Sequence, residues 1–438
     1  MLAVKPKKLG KRPVLIKVDV LSLPLACARP PTAVAESVAS VIIANEFTLP
    51  LISTVHSPAS HVIPALATDA DANDSSGPSG GLAATQGAGD ANKESMSIST
   101  GLLPAWLGFT ATTRQNDIDT SVTISFQPGT GGNQALRAGG NTENRQAFLT
   151  FGDKSWGSVK VGKDLGIFGS TAILNDMTLL GVGGTGLGTY GNGVNGGGST
   201  GGTTTTLGGI GTGYLYADWK GQIAYSTPNM NGFSATLGVT QPWNTRNLAT
   251  GADSAGSTDT PAFEAQASFS WTGDFAGKLW AGAFMQEVTG LTGAGITGTK
   301  DEDATAFEAG ISTSLMNINL VAYAYSGEGV GTTGMLMDGF DVNGSTRDSD
   351  GGYVQGTYVI PTGTKLGVSY GVSNLDDNAV DAGNNMVKKN DRVTVGAYHP
   401  LTKHLNLVAE YSQVESTSHG TEASLETDVI ALGAILFF

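Results

Sequence analysis

The final fourteen residues, Leu425 to Phe438, read L-E-T-D-V-I-A-L-G-A-I-L-F-F. Every second position from Ile430 on, namely Ile430, Leu432, Ala434, Leu436 and Phe438, is apolar. That spacing suits a β-strand with one face turned to an apolar medium. Taken alone, the stretch fits an apolar terminal helix or a buried sandwich strand equally well. Recurrence of the pattern upstream decides between them.

It recurs from Leu107 onward. Leu107, Phe109 and Ala111 alternate with Gly108, Thr110 and Thr112, and after a turn at Arg114 to Asp117 come Ile118, Thr120, Val122, Ile124 and Phe126 at spacing two. Arg145 to Phe151 and Val159 to Lys163 follow, joined by the tight turn Gly152 to Gly157. A long interruption from Asp164 to Lys220 ends in Gln222 to Thr227, the turn Pro228 to Gly232, and Phe233 to Thr240. Further pairs are 261–271 with 277–286, 304–313 with 316–326, 352–360 with 364–373 and 391–399 with 404–414, before the final strand 425–438. In 261–271, Phe263, Ala265, Ala267, Phe269 and Trp271 share one face, and Glu264, Gln266, Ser268 and Ser270 share the other.

About fifteen strands are readable in this way. Strands of this length span a bilayer when tilted. Their connections alternate between short turns and long polar loops, as in a membrane barrel. A soluble sandwich or a secreted adhesin would alternate along its strands too, but has no reason to sort its loops by length. The expected fold is therefore all-β, a transmembrane antiparallel up-and-down β-barrel.

Composition narrows the reading. The chain has 438 residues, 63 of them glycine, 14% charged residues and a net charge of -14. No run of eighteen apolar residues occurs, which excludes a helical membrane protein. Dispersed basic residues and an acidic total argue against nucleic acid. The single cysteine, Cys27, rules out an internal disulfide framework.

Gly-rich 181–202 lacks the G-K-[ST] ending of a phosphate loop. No catalytic constellation emerges from His56, His61, His399, His404 and His419, of which His399 and His404 flank a short turn. Asp341, Asp348 and Asp350, or Asp376, Asp377 and Asp381, offer oxygen ligands without an EF-hand spacing, and solvated loop charge is the favoured account. No enzyme, cofactor or metal site is expected.

The N-terminal region breaks the pattern. Lys5, Lys7, Lys8, Lys11 and Arg12 give a basic start and Ala26-Cys27-Ala28 resembles a cleavage site, but Lys17 and Asp19 interrupt the apolar core a signal needs. Residues 31–66 are irregular, with Pro31, Pro50, Pro58 and Pro64, and 67–95 read as linker. The division expected is 1–95 as an atypical, poorly ordered segment and 96–438 as the barrel.

Several motifs resemble the general, trimeric porins of Gram-negative bacteria, in particular their beta-proteobacterial type. They are Leu107-Gly108-Phe109 through Phe126-Gln127; Arg145 to Leu149 with Gly157 to Lys163; Ile223 to Pro228 with Asn231 to Ser234; Gly351 to Tyr358; Lys365 to Gly371; and Leu401-Thr402-Lys403 leading to Ala409-Glu410-Tyr411. Two departures stand out. The family's first strand has no counterpart before residue 95, Val41 to Leu51 being nearest but broken by Pro50, so residues 1–90 are expected to be non-native, from a shifted reading frame or a wrong start. The final strand also carries apolar Val429, Ala431, Gly433, Ile435 and Phe437 where the family often has polar inward residues, pointing to a subunit contact or a packed terminus.

The resemblance implies sixteen strands, a homotrimer in the outer membrane, and a water-filled channel for ions and small hydrophilic solutes. A constriction loop would span about 164–220. By motif match the pore would be lined by Lys160, Lys163 and Arg145, facing Asp176 on the loop. Alternation favours Lys160, flanked by Val159 and Val161, over Arg145, which shares parity with Ala147, Leu149 and Phe151. Glu264, Glu308, Arg392 and Glu410, on the polar parity of their strands, are further candidates. The acidic total points to cation preference. A β-rich adhesin is the alternative.

Overall fold

The computed structural model describes residues 60–61, 63–72, 95–99, 106–127, 144–181, 208–245, 258–293, 296–334, 336–381, 387–419 and 424–437. The basic N-terminal start, Cys27, His56 and Val41 to Leu51 lie outside them. The first half contains strands β1 Ser60–His61, β2 Ile63–Ala72, β3 Ser95–Ser99, β4 Leu107–Gln115, β5 Ile118–Phe126, β6 Ala147–Asp153, β7 Gly157–Leu165, β8 Trp219–Ser226 and β9 Phe233–Thr240. The second contains β10 Ala262–Trp271, β11 Phe275–Leu291, β12 Lys300–Leu315, β13 Ile318–Glu328, β14 Asp348–Val359, β15 Lys365–Leu375, β16 Val387–Pro400, β17 Leu405–Ser418 and β18 Ser424–Leu436.

All belong to one sheet, each pairing antiparallel with its neighbour in sequence from β4 to β18. The ring closes because β18 also pairs with β1 and β2, and β2 with β3. β3 and β4 run in the same direction between β2 and β5.

The first crossing lies inside the segment expected to be linker. Ile63–Ala72 runs along the last strand, with Ile430 opposite Leu66. The barrel therefore begins before residue 95. Strands of the second half also reach further towards the long loops than alternation alone suggests, β12 starting at Lys300 instead of 304.

Turn chemistry fixes the short connections. Asn116 and Asp117 both have positive φ, at 50° and 61°, which gives a two-residue turn matching strand twist. Asn231-Gly232 does the same at φ 54° and 98°, and a Cβ on Gly232 would collide with the Ser270 carbonyl.

The two faces of the wall differ as alternation requires. Phe263, Phe269 and Leu432 remain 48%, 46% and 54% exposed, which no residue held between two packed sheets would be. With Leu237, Phe307, Ile311, Leu320 and Val395 they form an apolar outer belt. Among the described residues no helix is long and apolar enough to cross a membrane, so crossing falls to the strands. The buried core lies inside the ring, where Phe168, Tyr214 and Leu215 from a loop pack on Trp280, Phe284, Tyr323 and Tyr353 of the wall.

Placing arginine at outward Ile311 is expected to lower the unfolding free energy in phospholipid vesicles by about 2–4 kcal/mol. Thr123→Arg, on the inner face, is expected to do far less. Urea titration of both variants checks the difference, and equal losses would contradict the facing.

Candidate functional site

Between β7 and β8 the chain leaves the wall, turns inward and crosses the lumen. Its root is held by carboxylates on the opposite strands. Glu264 on β10 accepts the backbone N–H groups of Ile167 at 2.7 Å and Phe168 at 2.9 Å and the Thr240 hydroxyl at 2.9 Å, and pairs with the buried Lys220 ammonium. Lys220 also lies 3.7 Å from the Trp243 ring centroid. Glu308 on β12 accepts the Gly169 N–H at 3.1 Å and the Tyr323 hydroxyl at 2.9 Å.

Gly169, at φ 77°, leads into the short helix α1 Ser170–Asn175. The free carbonyls at its end find partners on the wall, since Tyr353 donates to Ala172 O at 2.8 Å and Gln355 donates to Asn175 O at 3.0 Å. Gln355 accepts in turn from Met177 N at 2.6 Å.

Asp176 organises the middle of the loop. Its carboxylate accepts from Thr178 N and its hydroxyl, from Gly209 N, and from the Tyr214 hydroxyl, all within 2.9 Å. The Arg392 guanidinium of β16 stands 3.8 Å away, and both side chains are buried. Arg392 also donates to the Thr178 hydroxyl at 3.3 Å. The 3₁₀ turn Met177–Leu180 then packs Met177 on Tyr398, Val408, Ala431 and Ile435. The apolar inward residues of the last strand are thus floor for the loop.

On its way out the loop crosses β14 and β15 so closely that a Cβ on Gly371 would strike the Thr212 carbonyl. Ser373 accepts from Gly213 N at 3.0 Å. A second loop, 329–347, lies over the first, where Tyr216 N donates to Thr333 O at 2.8 Å and Leu336 and Phe340 join the same core. Arg347 ties this second loop to the next one through two hydrogen bonds to Asp381, at 2.8 and 2.7 Å.

The described part of the loop packs on the inner faces of β10 to β18, and Lys220, Gln222, Ala224 and Thr240 of β8 and β9 are buried beside its root. The inner face of β4 to β9 also carries paired hydroxyls: Thr110 with Thr123 at 2.9 Å, Ser121 with Thr150 at 2.6 Å, and Ser226 with Thr236 at 2.8 Å. Lys160 faces inward here, opposite Thr150, and pairs with Asp164 over the Phe148 ring. Near the short turns Arg114 bridges Asp119 at 2.6 Å and Asp153 at 2.9 Å.

The candidates named from sequence therefore separate into three groups. Lys160 points to the inside of the barrel, where its side chain is about a third exposed beside Asp164. Asp176, Glu264, Glu308, Arg392 and Glu410 are inside the barrel but buried under the loop, where they hold it; Glu410 takes the Tyr398 hydroxyl at 2.5 Å. Arg145 and Lys163 stand on the outer face: Lys163 is opposite Ala147 and Arg145 lies 5.7 Å over Trp219.

Sequence reading passed over Lys220, Trp280, Tyr323 and Tyr353. The histidines hold turns and loops, His399 bonding Thr364 at 2.9 Å, His404 the Phe437 carbonyl at 2.8 Å and His419 the Leu375 carbonyl at 2.7 Å. Asp341 accepts from Asn343 N, Ser345 N and the Asn378 amide, which fixes the turn of the second loop.

Glu264→Gln leaves the Lys220 charge buried without its counter-ion, a change of about 3–5 kcal/mol against the docked loop. Amide exchange at Ile167 and Phe168 is expected to accelerate sharply, and unchanged exchange would refute the clamp.

Asp381 gives a pH test. Burial pushes its carboxyl up, but the Arg347 hydrogen bonds and charge, with Asn378 N and His419, prevail and hold it below the ordinary aspartate range. A depressed carboxyl contributes stability above its unfolded value, about 3.9, and loses it as pH falls through the folded one. Exchange protection of 338–347 is expected to persist at pH 5 and to fall only on stronger acidification.

A family model described as Gram-negative porin matches residues 66–419. The solved outer membrane channel DcaP of Acinetobacter baumannii is similar, with a TM-score of 0.60 at 14% identity, over 92% of this chain and 99% of that one. The anion-selective porin from Comamonas acidovorans gives 0.52 at 13% identity, over 87% of this chain and 99% of that one. At these identities the likeness is one of fold. No curated protein matches by sequence.

Proposed function

The chain belongs to the Gram-negative porin family and forms a channel in the bacterial outer membrane, and from that premise we propose that it conducts small hydrophilic solutes and ions with a preference for cations. The carrying observation is the pairing of four of its inward basic side chains. Lys160, Lys220, Arg347 and Arg392 each stand against a carboxylate, which reduces the basic potential that would attract anions and leaves Lys278 and Lys365 outside these pairs. The surplus charge of the chain is acidic, at -14. A charge-lined passage selects by the sign of its potential.

The inner face of β4 to β9 supports passage without tight binding. Its hydroxyls are paired with one another, and its charges, Lys160 with Asp164 and Arg114 with Asp119 and Asp153, are matched locally. The reading includes no catalytic step and no cofactor. A homotrimer is part of the proposal, and rests on the resemblance to general porins. The adhesin alternative gains no support, because the outer belt of Phe263, Phe269 and Leu432 is built for lipid contact.

Reversal potentials in a planar bilayer under a KCl gradient test the selectivity. Potassium is expected to be favoured over chloride. Lys160→Glu is expected to raise that ratio roughly thirtyfold at low salt, since exchanging two unit charges about 8 Å from an ion in water lowers a cation's energy by about 1 kcal/mol and raises an anion's by as much. Clear chloride preference in the unmodified protein would overturn the proposal.

A further inference from the structure

Where β8, β9 and β10 meet the long loops, the outer face of the wall carries a groove of about 380 Å³. That volume falls within the roughly 300–1,000 Å³ of small-ligand sites. Gly221, on the outward parity of β8, keeps it open, since an added Cβ there would meet no atom within 4 Å. Ile223 and Val239, opposite each other across β8 and β9, make an apolar floor, and Pro242 and Pro261 flank it. The lipid belt of Leu237 and Phe263 lies just below. Trp219, the next outward residue of β8 towards the loops, marks the level, because tryptophan concentrates among lipid headgroups.

The two ends of the groove carry opposite charge. Lys163 of β7 is exposed and stands directly opposite Gly221. At the other end Asp259 is exposed on the lining. Glu287 of β11, which accepts the neighbouring Thr260 hydroxyl at 3.3 Å, adds a second negative charge to that side. Among the described residues neither the Lys163 ammonium nor the Asp259 carboxylate has a partner. Three strand spacings, roughly 14 Å between backbones, keep them from pairing with each other. A ligand that bridges them must carry both signs.

We propose that this groove seats the phosphoethanolamine headgroup of a membrane lipid in the leaflet at the long-loop end. The phosphate meets Lys163, the primary ammonium donates to Asp259, and the glycerol lies over Ile223 and Val239. An anionic headgroup would put negative charge against Asp259 and Glu287. A quaternary ammonium has no N–H to donate. The site lies outside the pore and rests on the outward parity of the wall, not on the selectivity proposed above.

Native mass spectrometry of the folded protein, released from detergent with equal amounts of phosphatidylethanolamine, phosphatidylglycerol and phosphatidylcholine, tests it. Phosphatidylethanolamine is expected to be retained in preference. Lys163→Gln and Asp259→Asn are each expected to weaken that retention roughly fivefold. Gly221→Leu, which fills the groove and leaves both charges in place, is expected to weaken it at least as much. Lys389→Gln, whose ammonium already pairs with Asp391 on another part of the outer face, is expected to leave it unchanged. Heat-dependent mobility in detergent gels reports that each barrel has formed.

Undiminished retention by folded Asp259→Asn and Gly221→Leu variants would overturn the site. Preferential retention of phosphatidylglycerol would overturn the headgroup assignment in favour of an anionic lipid. Equal retention of all three lipids would overturn it in favour of unselective contact with the apolar belt.

Discussion

A strand edge cannot be left open in hydrocarbon, where no water satisfies its N–H and C=O groups. Everything else in this molecule follows from meeting that demand. The meeting of the last strand with Ile63–Ala72 removes the edge and turns a long antiparallel meander into a wall. Closure then makes an inside, and a wall of this many strands makes that inside wide enough to need filling. The chain fills the side along β10 to β17 with its own loop.

The filled side shows how a loop can be built into a lumen. A segment crossing there must hide many backbone groups, and side chains of the wall take them up one by one. Glu264 and Glu308 take three consecutive N–H groups at the root, while Tyr353 and Gln355 close the carbonyls at the end of the short helix. Charged residues that alternation alone would assign to the water path thus become anchors. Their inward direction was legible; their burial was not, because burial depends on what lies on top of them.

The strand pattern was readable because each strand of the wall has one face in lipid, so its period of two survives in the sequence. Where it failed, the local contrast was missing. In Ile63–Ala72 the residues I-P-A-L-A-T-D-A-D-A do not alternate cleanly, and Pro64 sits within the ladder opposite Ile98. The inner aromatic floor left a trace that could have been used. Leu279 to Met285 and Leu320 to Tyr325 are apolar on both parities, as strands covered on both faces are. Lys163 and Arg145 were drawn to the pore by motif likeness against the parity of their own strands, and the parity was the better guide.

The second loop rests on the first through Tyr216 and Thr333, so each is held by the other as well as by the wall. Whatever frees the inner loop from Glu264 and Glu308 also removes the seat of the outer one. The two layers are one plug, and they let go together.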